Sequence, residues 1–166
     1  MLRRLSLAGK ASVETAETVT YRGMMFTGVP NLFYVFGYLR SSWTLRADLV
    51  SDFVCRLLNH MKARTLDVVE VALRPEDAVL PRLPWIDPEN FNPGYLMRSL
   101  HLLPKRLEKP EWQHSQDYSS DRKTFPAIDL DAHEFVYDGR RATPDVTARG
   151  AVYTDTPAAV RRRLGM

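Results

Sequence analysis

The feature that most constrains this 166-residue chain is an uncharged stretch of 17 residues, Gly23 to Leu39, that runs almost directly into a long amphipathic segment. That length is the lower edge of the ~17–25 residues a membrane helix requires. Gly28-Val29-Pro30-Asn31 in its middle breaks a helix and sets a polar amide at its centre, so it does not read as a span. Leu32-Phe33-Tyr34-Val35-Phe36 reads instead as a strand covered on both faces, as in a parallel sheet between helix layers, closed by Gly37. Beyond the loop, Leu45, Leu49, Val50, Phe53, Val54, Leu57, Leu58 and Met61 recur at three- and four-residue spacing. Arg46, Asp48, Asp52, Arg56 and Asn59 fill the opposite face, with Asp52 and Arg56 an i,i+4 pair. The pattern predicts a helix over Trp43–Met61, about 28 Å long. Ser42 or Thr44 suits its cap, and Asp48 suits the positive end of its dipole.

Around this unit, Thr18–Phe26 is expected to be extended with a bend at Gly23, and Val68–Leu73 to form a strand. Pro75–Pro93 is a proline-rich connection, and a second helix fits Tyr95–Leu103, stopped by Pro104. The character then changes: 22 of the 63 residues from 104 to 166 are apolar, against 52 of the 103 before them. The expected organisation is a leader of uncertain structure over 1–17, a body over 18–103, and an extended arm over 104–166 that docks on another surface. The last 25 or so residues of that arm are expected to be disordered.

Charge and cysteine use exclude several classes. The net charge of +3 comes from six basic residues at the ends: Arg3, Arg4, Lys10 and Arg161 to Arg163. Residues 11–160 carry 17 basic and 20 acidic side chains, which argues against a nucleic-acid-binding body. A single cysteine, Cys55, forms no internal disulfide and seeds no cysteine-based zinc site, so a reducing, cytoplasmic setting is expected. The apolar stretch at the start ends at Gly9 and Lys10, short of the ~7–15 apolar residues of a secretory signal.

The search for chemistry is mostly negative. His60, His101, His114 and His133 are scattered; Asp129, Asp131 and His133 alternate and would share a strand face, but in a polar tail this reads as chance spacing, and no metal site is expected. Cys55 lies inside the long helix and reads as a packed thiol, so no catalytic nucleophile is assigned. Glycines stand at 9, 23, 28, 37, 94, 139, 150 and 165; no Gly-x-Gly is present, hence neither a dinucleotide fingerprint nor a P-loop. What remains is the strand–loop–helix of residues 29–61. A helix N-terminus at the carboxyl edge of a sheet favours a negatively charged ligand atom, and Gly37 lets the backbone approach a flat ring. A routine βα unit whose glycine merely makes a turn is the other reading of the same residues.

Tyr21-Arg22-Gly23-Met24-Met25-Phe26-Thr27-Gly28-Val29-Pro30-Asn31-Leu32, Phe36-Gly37-Tyr38, Ser42-Trp43-Thr44-Leu45-Arg46-Ala47-Asp48-Leu49 and Arg56-Leu57-Leu58-Asn59-His60-Met61 resemble the C-terminal part of the Baeyer–Villiger-type flavin-containing monooxygenases. Asn92-Pro93-Gly94-Tyr95, Leu103-Pro104-Lys105, Trp112, Gln116-Asp117-Tyr118 and Asp121 resemble the same family's closing segment, so the likeness covers about residues 18–125. The resemblance implies an enzyme that uses FAD and NADPH to insert one oxygen of O₂ next to a carbonyl or onto sulfur. It implies an α/β fragment: the last strand and following long helix of a Rossmann-like FAD-binding domain, with residues 18–103 as that domain's C-terminal portion and an extended arm after it. It places Asn31, Gly37, Tyr38, Ser42, Trp43, Thr44 and Leu45 beside the flavin, and Leu39 and Trp43 in the substrate pocket.

Both glycine-rich nucleotide fingerprints of that family are missing, and so is its Phe-Gly-His-Trp pattern: Phe26-Thr27-Gly28 begins like it, but Leu32 stands where histidine should be. The expectation is therefore one wall of a flavin and substrate site, inactive alone and prone to self-association. Two rival expectations remain. One is a non-catalytic subunit completing a separately encoded nucleotide-binding half; the other is a small basic module binding anions or RNA through the arginines at its ends.

Overall fold

A computed structural model describes residues 4–5, 12–89 and 91–139. The strands are β1 (Arg4–Leu5), β2 (Val13–Glu14), β3 (Thr20–Tyr21), β4 (Met25–Phe26), β5 (Leu66–Val71), β6 (Leu83–Pro84), β7 (Lys105–Arg106) and β8 (Phe135–Gly139). The helices are α1 (Trp43–Ala63), α2 (Pro75–Ala78), α3 (Gly94–Ser99) and α4 (Tyr118–Thr124), with 3-10 turns at Thr15–Glu17, Leu100–Leu102 and Pro110–Trp112. The strands form four antiparallel pairs: β1 with β2, β3 with β4, β5 with β8, and β6 with β7. Parallel contact is confined to single bridges, Val19 to Lys105 and Thr27 to Val71, among the described residues.

The helix expected over Trp43–Met61 runs two residues further, to Ala63, and buries Leu49, Val50, Phe53, Leu57 and Met61. Several details differ from expectation. Leu58 is exposed, and Arg46, assigned to the polar face, has no exposed surface at all. Arg56 does not rely on Asp52; it donates to the carbonyls of Pro126, Phe125 and Ile128 and ties α1 to the chain beyond α4. Asp48 lies in the second turn, and the first turn of α1 holds no acid. Cys55 is exposed rather than packed, because it falls outside the buried stripe.

The expected strand Leu32–Phe36 joins no ladder. A strand exists only where neighbours take its N–H and C=O groups, and among the described residues the one backbone–backbone bond of this run is Tyr34 N–H to the Met24 carbonyl, at 3.0 Å. Its side chains split between two cores. Phe33 packs on the main cluster; Tyr34 and Phe36 pack on a second one of Trp85, Ile86, Leu96 and Leu103; Val35 is 42% exposed. The expectation of burial on both faces is corrected accordingly.

Thr18–Phe26 folds as the hairpin of β3 and β4. Positive φ at Arg22 (43°) and Gly23 (66°) closes it, and Met24 N–H donates to the Tyr21 carbonyl at 2.9 Å. A Cβ at Gly23 would overlap the His114 ring. Gly23→Ala is therefore expected to destabilise the fold by roughly 1–3 kcal/mol in urea denaturation, since both the backbone and the packing resist it. An unchanged midpoint would contradict that packing.

The later residues are part of the body's own core. Leu107, Trp112, Phe125, Ile128 and Phe135 share one buried cluster with Val19, Tyr21, Met24, Phe53 and Val71. Tyr21 meets Trp112 and Phe135 edge-on, with centroids 5.5 and 5.2 Å apart. Asp77 of α2, fully buried, accepts from Trp112 Nε1 at 2.9 Å, Arg74 Nε at 3.1 Å and Lys109 Nζ. The second helix begins at Gly94 and passes into the 3-10 turn at Leu100. Residues 129–133 form turns, not a strand, so Asp129, Asp131 and His133 do not share a strand face. Asp131 instead pairs with Arg64. The disorder expected after residue 140 lies outside the described residues, as do the basic side chains at the two ends.

Candidate functional site

The turn from Phe36 to Ser42 and the first turn of α1 bring most of the sequence-predicted residues together. Asn31 is apart from them. It takes a left-handed φ of 54°, its Nδ2 donates to the Asp67 carbonyl and its Oδ1 accepts from Val69 N–H, both at 2.9 Å, so it clips this segment to β5. Gly37 is buried, and the flat ring that approaches it is the indole of Trp43: a Cβ at Gly37 would overlap that ring. Trp43 itself is 53% exposed and tilts against Phe36 at 5.1 Å. Ser42 and Thr44 are exposed and bond to each other through their hydroxyls at 2.7 Å, and Leu45 is half-buried.

The Ser42 side chain makes no hydrogen bond to the helix backbone. The first N–H groups of a helix have no intrahelical acceptor, and with no acid in the first turn this end of α1 keeps its positive partial charge. Such an end favours a negatively charged ligand atom, and the exposed indole lies beside it.

Beneath the turn, Tyr38 is buried and its hydroxyl donates to Asp121 Oδ2 at 2.7 Å. Burial lifts this phenol above its ordinary value, and the bond to Asp121 adds to the effect. Asp121, on α4, also takes Arg46, whose second amino group donates to the Arg22 carbonyl. The Arg46 guanidinium lies 5.3 Å from the Tyr38 ring centre and 5.0 Å from that of Phe125.

Beside the turn opens a cleft of about 720 Å³, lined by Leu39, Arg40, Trp85, Phe91, His114 and Gln116 among others. Leu39, predicted for a substrate pocket, thus lines a cleft; Trp43 does not line it. His114 stacks on Trp85 with ring centres 5.2 Å apart and planes 18° apart. Burial pushes its imidazole down to about 3, and the nearby Arg46 charge adds to that, against the bond to the Phe36 carbonyl.

The sequence assigns no site role to Arg46, Asp121, Gln116 or His114. The first three fall in the family-like motifs; His114 carries no local signal, because what makes it notable is burial against a distant turn. Among the described residues no three His, Cys, Asp or Glu side chains gather as a metal site, and no helix is long and apolar enough to cross a membrane.

Three curated relatives frame these observations. An FAD-containing monooxygenase EthA from Mycolicibacterium smegmatis is 42% identical over 130 residues, which is 78% of this chain and 25% of that protein. The EthA of Mycobacterium tuberculosis is 47% identical over 109 residues, 66% of this chain and 21% of that protein. A probable FAD-binding monooxygenase AlmA from Acinetobacter baylyi is 30% identical over 135 residues, 79% of this chain and 26% of that protein. The chain spans about a quarter of the length of the curated relatives it matches. Alignments of 130 and 135 residues necessarily take in residues outside 18–125, so the likeness is longer than the motifs alone indicate. No family model and no solved structure matches the chain.

Proposed function

We propose that this chain, a homologue of the FAD-containing monooxygenases over one segment of their length, supplies one wall of a flavin and substrate site. The observation that carries the reading is the bare, uncapped N-terminus of α1 with Trp43 exposed beside it, in a chain 42–47% identical to such enzymes. Bound FAD, reduced by NADPH, supplies the electrons with which one oxygen of O₂ is inserted next to a carbonyl or onto sulfur and the other leaves as water.

The chain's own residues bind and shape. The N–H groups of Trp43, Thr44 and Leu45, with the Ser42 and Thr44 hydroxyls, would hold the negatively charged edge of the flavin. That helix-end effect is worth typically ~0.3–1 kcal/mol, enough to tune a cofactor and too little to create a site. Trp43 covers Gly37 and presents an apolar surface, while Leu39 borders the space for substrate. In the whole enzyme Asn31–Gly37 serves as the last strand of a Rossmann-like sheet, its ladder completed by strands from the rest of that enzyme. That accounts for an apolar run that joins no ladder among the described residues and for an exposed Val35. The nucleotide phosphates of both cofactors are held outside this chain, where the glycine-rich loops lie.

The test is a chimera in which the full 166-residue chain replaces the segment it matches in the M. smegmatis relative. It should retain FAD and oxidise NADPH with oxygenation of a simple ketone or thioether. The chain alone, given FAD and NADPH, should do neither. A chimera without flavin, or NADPH oxidation by the isolated chain, contradicts the reading.

A further inference from the structure

We propose that Gln116 and His114 are positioning residues, a latch from the later part of the chain that holds the Phe36–Leu39 turn in place against the cofactor; this rests on the function proposed above. Gln116 Oε1 accepts from Leu39 N–H at 2.7 Å, Gln116 Nε2 meets His114 Nδ1 at 3.0 Å, and His114 Nε2 meets the Phe36 carbonyl at 3.1 Å. The two ends fix the protons independently. A backbone N–H only donates, so the amide oxygen sits at Leu39 and the amide nitrogen faces the ring. A backbone carbonyl only accepts, so the imidazole proton is on Nε2. The middle bond, a donating amide nitrogen to a bare Nδ1, forms in that arrangement alone, and the three bonds agree.

The turn needs such a hold. Among the described residues no backbone–backbone hydrogen bond is made by Phe36, Gly37, Tyr38 or Leu39. The latch ring is itself wedged between Trp85 and the bare Cα of Gly23. Gln116 is exposed at the surface and also lines the cleft beside Leu39, so its replacement disturbs little of the core.

Two variants separate positioning from folding. Gln116→Leu removes both of its bonds. Gln116→Glu keeps the acceptor for Leu39 but cannot donate to Nδ1, so the His114 proton moves there and the Phe36 carbonyl is released. In the full chain, ¹⁵N spectra should show the Nε2–H tautomer of His114, changing to Nδ1–H in Gln116→Glu. Exchange of the Leu39 amide should accelerate about tenfold in Gln116→Leu, as expected for one lost hydrogen bond. In the chimera, Gln116→Leu should shift the visible flavin band and raise the substrate KM more than it lowers kcat, with FAD content unchanged. An Nδ1–H tautomer in the unaltered chain, or unaltered Leu39 exchange, overturns the latch. A flavin-loaded chimera whose band and KM ignore Gln116→Leu overturns its positioning role alone. A chimera without flavin overturns the proposed function and this inference with it.

Discussion

Asp121→Ala is expected to destabilise the fold by roughly 3–5 kcal/mol, the cost of leaving one member of a buried ion pair uncompensated. The stranded charge is Arg46, which has no exposed surface and lies between the Tyr38 and Phe125 rings. Its remaining acceptors are the carbonyls of Arg22 and Ser115, the latter at 3.4 Å, and its Nε has no partner among the described residues. Tyr38 loses the acceptor of its hydroxyl in the same step. The double variant Asp121→Ala with Arg46→Met should lose less than the sum of the two single losses, because an apolar side chain needs no carboxylate. Urea denaturation of the four proteins checks this. Strict additivity would mean that the pair is not coupled.

Acidification gives the second large effect, and His114 sets its range. The imidazole sits near 3 in the folded chain against an ordinary 6.5. Between those values the unfolded chain binds the extra proton and the folded chain does not, so stability is complete above about pH 6.5 and falls as pH drops toward 3. The loss approaches roughly 4 kcal/mol at the acid end, by the energy of a shift of this size. Asp77 works in the same direction. Its burial raises the carboxyl, but bonds from Lys109, Trp112 and Arg74 outweigh that and hold it below its ordinary value. Its contribution is therefore present above the ordinary carboxylate range and is lost as pH falls below it. Urea midpoints measured from pH 7 to pH 4 should fall steadily, and His114→Phe should flatten most of the slope above pH 5. A wild-type midpoint that ignores pH in that window would contradict the buried neutral imidazole.

Local periodicity made α1 legible, because a stripe at three- and four-residue spacing is written within a single helix. The same logic hid Arg46. A charge off the stripe is ordinarily solvated, and its burial depends on Asp121, 75 residues away. Leu32–Phe36 shows the opposite limit: an apolar run reports burial, whereas a strand is defined by partners that the run does not contain. The low apolar fraction after residue 104 concealed how the described part docks. Trp112, Phe125 and Phe135 are few but large, and each buries fully or nearly so. At the site, Gly37 was legible as a place of close approach, but the approaching ring is Trp43, six residues on. The roles of His114 and Gln116 were not legible, because they are bonds to backbone atoms of a distant turn.

The most direct test of the account is a crystal structure of the FAD-loaded chimera. The flavin ring is expected against the Tyr38–Thr44 turn, with its negative edge at the N-terminus of α1 and Trp43 in contact. A flavin seated elsewhere, with solvent over Ser42, Trp43 and Thr44, would contradict it.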